Sequence, residues 1–136
     1  MKVQPYLLFK GNCEEAFKSY ADVLRGKIVA MLPHKGSPAE AETPPEWQNK
    51  ILHARLDIGD QVILASDAPP GRQSAMGGFT ITLDVGSPAE VERIFKAFSQ
   101  GGTATMTPQE TFFAKSFAMV TDRFGVPWML IAPKPM

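Results

Sequence analysis

The chain has 136 residues, 44% of them apolar and 21% charged, with fourteen basic residues against fourteen acidic ones. That is the size and composition of one ordinary globular domain, and the even charge leaves no basic face of the kind nucleic-acid binders carry. The lone Cys13 excludes an internal disulfide and any zinc site built on several thiolates; no apolar run reaches the length of a membrane span, and Met1 to Pro5 lacks the apolar core of a secretion signal, so cytoplasmic residence is expected.

Residues 3–9 are apolar and partly β-branched or aromatic, which predicts a strand ending before Gly11. Asn12 then reads as a helix N-cap, with Glu15 at the third helical position. Cys13, Ala16, Phe17, Tyr20 and Leu24 recur at helical spacing and give one apolar stripe. Gly26 is the expected left-handed stop, and residues 27–32 the next strand, ended by Pro33. Residues 34–49 turn polar and proline-rich, a surface loop longer than a plain connector. Trp47 near its end reads either as a lid or partner contact, or as a simple anchor.

Residues 50–58 alternate, with Leu52, Ala54, Leu56 and Ile58 on one face and Ile51, His53, Arg55 and Asp57 on the other. Gly59-Asp60 is a tight turn into a strand over 61–66, and residues 67–78 form a loop that hinges two halves. The second half repeats the plan. A strand over 79–85 precedes Ser87-Pro88-Ala89-Glu90, which supplies an N-cap, a proline at the first helical position and a capping box. Val91, Ile94, Phe95 and Phe98 form the stripe, and Gly101-Gly102 stops the helix. Strands then fit 103–108, 116–121 and 128–132, with a hairpin turn at Asp122-Arg-Phe-Gly125.

The halves also match in words. An ungapped offset of 75 residues carries Gly11 onto Gly86, Glu15 onto Glu90, Gly26 onto Gly101, Met31 onto Met106, Pro33 onto Pro108 and Leu8 onto Leu83. A unit that occurs twice is a duplicated half-domain and not a solenoid. The modules span about residues 1–71 and 77–136 of a single domain, each ordered strand, helix, three strands.

Several stretches carry a family resemblance: residues 5–17 (PYLLFKGNCEEAF), His53-Ala54 with Gly59-Asp60, Ser66-Asp67 before Pro70-Gly71, Gln109-Glu-Thr-Phe112, and residues 122–128 (DRFGVPW). With the strand order they resemble the vicinal-oxygen-chelate superfamily of glyoxalase I, extradiol dioxygenases and bleomycin-resistance proteins. Within it they resemble the PhnB-like branch, sometimes labelled 3-demethylubiquinone methyltransferase-like. The resemblance implies an α+β fold of two tandem βαβββ modules forming a curved, half-open mixed β-sheet cup with the helices outside. It also implies a homodimer. Phe113 and Ala118 depart from the branch, which carries Trp and Gly there, and bear on the shape of the cup.

Enzymes of the superfamily hold a divalent cation between first and last strands of both modules. The duplication places those positions at Pro5, Thr80, Ile63 and Met129, or at Phe79 in place of Thr80 after a one-residue slip. None is a good ligand for a hard cation, zinc or iron, so no metal and no cofactor are expected. His34 is read as solvated. Parity across a two-residue turn sets His53 on the face away from Ile63, behind the cup; a bulge would reverse that. Glu110, beside Phe112 and Phe113, is a candidate general base if aromatic surroundings raise its pKa. Trp128 reads as core. No Gly-rich turn between a strand and a helix supports methyl transfer from a nucleotide-like cofactor, and neither a phosphate loop nor a nucleophile elbow occurs.

The function expected on this basis is binding of a small organic molecule in an apolar cup lined by Leu7, Phe9, Ile63, Thr80 and Met129, with His53, Glu110 and Phe113 near it. The alternative is an enzyme of lyase, isomerase or dioxygenase type using an unrecognised metal or His53 and Glu110 as acid and base. A structural or regulatory dimer with a filled cup is the third reading.

Overall fold

Strand and helix alternate in a pattern that occurs twice along the chain. In the computed structural model, which describes residues 1–135, β1 (Tyr6–Phe9) is followed by α1 (Cys13–Leu24), β2 (Lys27–Pro33), β3 (Ile51–Ile58) and β4 (Gln61–Asp67). The second series is β5 (Ile81–Asp84), α2 (Pro88–Ser99), β6 (Thr103–Gln109), β7 (Ala114–Thr121) and β8 (Pro127–Pro133). The chain divides between Ala75 and Met76 into two compact units. Each holds one four-stranded open sheet, ordered β1-β4-β3-β2 in the first unit and β5-β8-β7-β6 in the second. The first strand of each lies parallel to the last, and the remaining pairs are antiparallel. This is the vicinal-oxygen-chelate fold of two βαβββ modules. β5 begins two residues later than expected, so Phe79 and Thr80 precede it.

Alternation buries one face of each sheet beneath its helix. In the first unit Leu7, Phe9, Ala54, Leu56, Ile63 and Ala65 pack with Ala16, Phe17 and Tyr20 of α1. The Phe9 and Phe17 rings meet edge to face at 6.4 Å, and each such side chain contributes roughly 1.5–3 kcal/mol by leaving water. In the second unit Val120, Trp128 and Leu130 pack with Val91, Ile94 and Phe98 of α2. Trp128 lies 5.0 Å from Phe98 between ring centroids, and its Nε1 donates to Asp122 Oδ2 at 2.9 Å. Its place in the core is therefore satisfied on both its apolar and its polar side.

The two helices start differently. Ser87 caps α2 as its sequence predicts, its hydroxyl accepting from the Glu90 N–H at 3.3 Å with Pro88 opening the helix. Asn12 makes no such bond. The carboxylate of Asp67, at the end of β4, takes its place. Asp67 Oδ1 accepts from Gly11 N and Cys13 N, at 2.9 and 3.0 Å, and Oδ2 accepts from Ile51 N at 2.9 Å. A buried carboxylate bonded to three N–H groups near a helix N-terminus satisfies orphan donors and complements the helix dipole together.

The helix ends differ as well. The left-handed residue after α1 is Arg25 (φ 56°), not Gly26. Gly26 is required for space, since a Cβ there would stand 2.8 Å from the Asp57 carbonyl oxygen. After α2 it is Gly101 that is left-handed, at φ 71°.

The long loop after β2 packs back on the first unit. Two short 3-10 turns, Glu40–Glu42 and Pro45–Trp47, lie in it. Trp47 and Lys50 border Gly11, and Lys50 Nζ donates to the Gly11 carbonyl at 2.9 Å. His34 is buried and not solvated: its Nδ1 lies 3.0 Å from the Lys50 carbonyl oxygen, and its own N–H donates to the same carbonyl.

Candidate functional site: the sheet faces away from the helices

Each sheet keeps a second face turned from its helix. In the first unit β1 contributes Tyr6 and Leu8 to it, β4 contributes Leu64 and Ser66, β3 His53 and Arg55, and β2 Leu32. Tyr6 and Leu8 are each 45% exposed and Leu32 is 54% exposed. The Tyr6 and His53 rings lie 5.9 Å apart, with Tyr6 Oη 3.4 Å from His53 Nδ1. Arg55 reaches along its own strand to Asp57, with Nε 2.7 Å from Oδ1 and Nη2 3.3 Å from Oδ2. That carboxylate raises the guanidinium pKa further by hydrogen bonding and charge, so Arg55 stays protonated.

In the second unit the corresponding face carries Thr82, Met129, Met119 and Met106, which follow one another across β5, β8, β7 and β6 in the strand register. Thr82 Oγ1 lies 3.8 Å from Met129 Sδ. Phe117 and Ile131 pair beside this row. Phe113 continues it toward the edge, 5.3 Å from Phe117, and Phe112 stands 5.1 Å beyond at 92% exposed. Methionine and aromatic side chains together make an apolar surface that adapts to irregular shapes.

Several expected lining residues lie elsewhere. Leu7, Phe9 and Ile63 are core residues under α1, exposed by 2%, 1% and 4%. They cannot line an open face, because strand neighbours alternate and the helix covers theirs. His53 does lie opposite to Ile63 in facing, as parity predicts, but its side is the open one. Met129 is on the face away from α2, and Phe113 is at its edge. Thr80 is exposed before β5, two residues ahead of Thr82.

Glu110 is corrected in its chemistry. Its carboxylate pairs with Lys134 Nζ at 2.7 Å, and that bond and charge lower its pKa. A base needs a raised value, so this environment opposes the role. Sequence reasoning passed over Tyr6, Arg55, Met106, Met119 and Phe117. The alternation Tyr6-Leu7-Leu8-Phe9, apolar at every position, hid which residues faced out.

The four expected metal positions do not form an equivalent set. Pro5 shares the parity of core residues Leu7 and Phe9, and Ile63 is itself core, whereas Thr80 and Met129 have open-face parity. On the open faces the first and last strands offer Tyr6, Leu8, Leu64 and Ser66 in one unit, and Thr82, Asp84, Met129 and Ile131 in the other. One carboxylate and no imidazole among these does not fit the superfamily's divalent cation. Among the described residues no group of three His, Cys, Asp or Glu side chains is placed to hold a metal ion. No described helix is long and apolar enough to cross a membrane.

The repeated βαβββ unit and its helix-free faces define a member of the vicinal-oxygen-chelate superfamily. More narrowly, the model of the 3-demethylubiquinone-9 3-methyltransferase family matches residues 1–131, and the chain belongs to this PhnB-like family. It is 35% identical over 138 residues to Protein YjdN of Escherichia coli (strain K12), covering 96% of this chain and 94% of that protein. Protein PA1353 of Pseudomonas aeruginosa has a similar structure with a TM-score of 0.89 and 45% identity, over 97% of each chain. The PhnB protein of Bacillus cereus shares the fold at a TM-score of 0.80 and 22% identity, over 97% of this chain and 99% of that one.

Proposed function

We propose that the protein binds a small organic molecule against the sheet faces turned from its helices, without the superfamily's metal. The observation that carries this reading is the amount of large apolar surface left outside both cores: Tyr6, Leu8 and Leu32 in one unit, and Phe112 and Phe113 beside the methionine row in the other. Folding has already buried what α1 and α2 can cover, and water-exposed apolar groups in contiguous sets mark binding surfaces. Metal-free binding follows from the donor set, since thioethers and aliphatic groups are poor partners for hard cations. Association as a homodimer belongs to the same proposal.

The test is native mass spectrometry of protein purified without chelator, followed by thermal shift across neutral aromatic and aliphatic compounds. A bound or stabilising organic compound is expected, with its effect reduced in Met119→Lys, and sedimentation is expected at twice the chain mass. A stoichiometric divalent cation, or indifference to every compound, would sink the reading.

An enzymatic reading has one observation in its favour. A tyrosine hydroxyl 3.4 Å from an imidazole nitrogen on an accessible face is a plausible geometry for proton transfer to a bound molecule. Were turnover found with a ligand from the panel, Tyr6→Phe and His53→Gln should each abolish it while leaving binding in place.

A further inference from the structure

We infer that the cleft at the β3–β4 end of the first unit's open face is a site for an organic carboxylate, with Arg55 as its recognising group. This rests on the reading that the open faces take up organic molecules, and names the chemistry of one. The cleft has a volume of about 290 Å³ and is lined by Lys2, Gln4, Arg55, Asp57, Asp60 and Val62 among others.

The polar groups there differ in how far they are already engaged. Asp57 uses both carboxylate oxygens and Asp60 uses one. Asp57 accepts from Arg55 Nε and Nη2, and Asp60 accepts from Gln61 Nε2 at 3.2 Å. The cations are not used up. Lys2 has no ion-pair partner among the described residues, and Arg55 Nη1 has no hydrogen-bond partner among them. Those unused donors of Lys2 and Arg55 are what an anionic oxygen engages.

The arrangement favours a carboxylate over a simple ion. Asp57 holds the guanidinium by its Nε–Nη2 edge and so fixes its plane. The end formed by Nη1 and the second N–H of Nη2 then presents two parallel donors, which match the two oxygens of a carboxylate. Arg55 and Tyr6 both lie opposite Leu64 in the register, one on each side of it. An apolar body attached to the carboxylate rests on Leu64 and Val62 and meets the Tyr6 ring. Asp57 is a positioning residue, acting through Arg55.

The probe is sodium benzoate, with benzamide as its neutral isostere, titrated into the full chain at fixed ionic strength and followed by amide ¹H–¹⁵N spectra. Benzoate is expected to move the amides of residues 2–4 and 55–62, with an affinity at least tenfold above that of benzamide. In R55Q the benzoate affinity falls at least tenfold and that of benzamide is unchanged; R55K recovers part of it. K2Q, which touches no core residue, lowers benzoate affinity several-fold and controls for misfolding of R55Q. Equal binding of the two probes, benzoate shifts confined elsewhere, or displacement of benzoate by equimolar sulfate overturns the inference. Benzamide bound at the open faces with no preference for benzoate overturns it but leaves the broader proposal standing. Silence of those faces toward both probes also overturns the inference, and the compound panel then decides the broader proposal.

Discussion

The backbone N–H of Cys13 donates to Oδ1 of Asp67 at 3.0 Å, tying the first turn of α1 to the end of β4 across 54 residues of sequence. The same carboxylate accepts from Gly11 and Ile51, so one side chain fixes the strand–helix turn and the start of β3. Asp67→Ala would leave three N–H groups without their acceptor, two of them in buried bonds. It should cost about 3 kcal/mol or more. Asp67→Asn keeps one acceptor oxygen and turns an NH2 toward a donor, so an intermediate loss is expected. Urea denaturation measures both; an alanine variant as stable as the parent would show that α1 is capped some other way.

The helix starts give a differential prediction. Ser87→Ala removes the hydroxyl that accepts from Glu90 N and should cost about 1 kcal/mol. Asn12→Ala, at the matching place in α1, removes no capping bond and should change stability by less than about 0.5 kcal/mol. The two melting curves decide it, and equal losses would refute the assignment of the α1 cap to Asp67.

Glycines at the unit's joints are unequal for the same reason of space. A Cβ on Gly102 would overlap the Thr121 carbonyl oxygen and stand 2.7 Å from that of Phe98, both backbone atoms that cannot rotate away. Gly102→Ala should destabilise by about 3 kcal/mol or prevent folding. Gly77 meets nothing within 4 Å and has no left-handed φ, so Gly77→Ala is expected to be neutral or slightly stabilising. Guanidinium midpoints of the pair would separate them.

Cys13 is a test of burial. Desolvation first, then the charges of Asp67 and Glu14, push its thiol pKa well above the ordinary thiol range. The native protein should stay unreactive to iodoacetamide through pH 9 and react once unfolded. The sign for stability follows. A folded pKa above the unfolded one gives stabilisation that is complete below the unfolded value, 9.0 for a free thiol, and is lost as pH rises from there toward the folded value. Cys13→Ala should flatten this alkaline decline, and a variant with the same alkaline slope as the parent would assign the decline to other groups.

The offset of 75 residues that exposed the duplication holds only part of the way. It superposes α1 on α2 end for end. It fails in the neighbouring strands. β2 and β6 match end for end at an offset of 76, and so does the first register shift in each, so Met31 with Met106 and Pro33 with Pro108 are not structural equivalents. In β1 the core residues are Leu7 and Phe9, but the same offset lands on Thr82 and Asp84, which are exposed. The expected equivalence of Ile63 with Met129 likewise sets a buried residue against an open-face one. A helix tolerates such a slip by rotating its stripe through 100°, whereas a strand turns its whole side-chain set over.

Sequence alone therefore determined the local periods: two helices with single apolar stripes, strands between them, a Ser-Pro cap at Ser87 and the βαβββ order repeated. Those follow from spacing and backbone chemistry over a few residues. Which side of each strand is covered was decided by the tertiary structure, because β1 reads Tyr-Leu-Leu-Phe and gives no contrast for water to sort until α1 lies across one face. The same holds for Asp67, whose three donors come from segments that only folding brings to it.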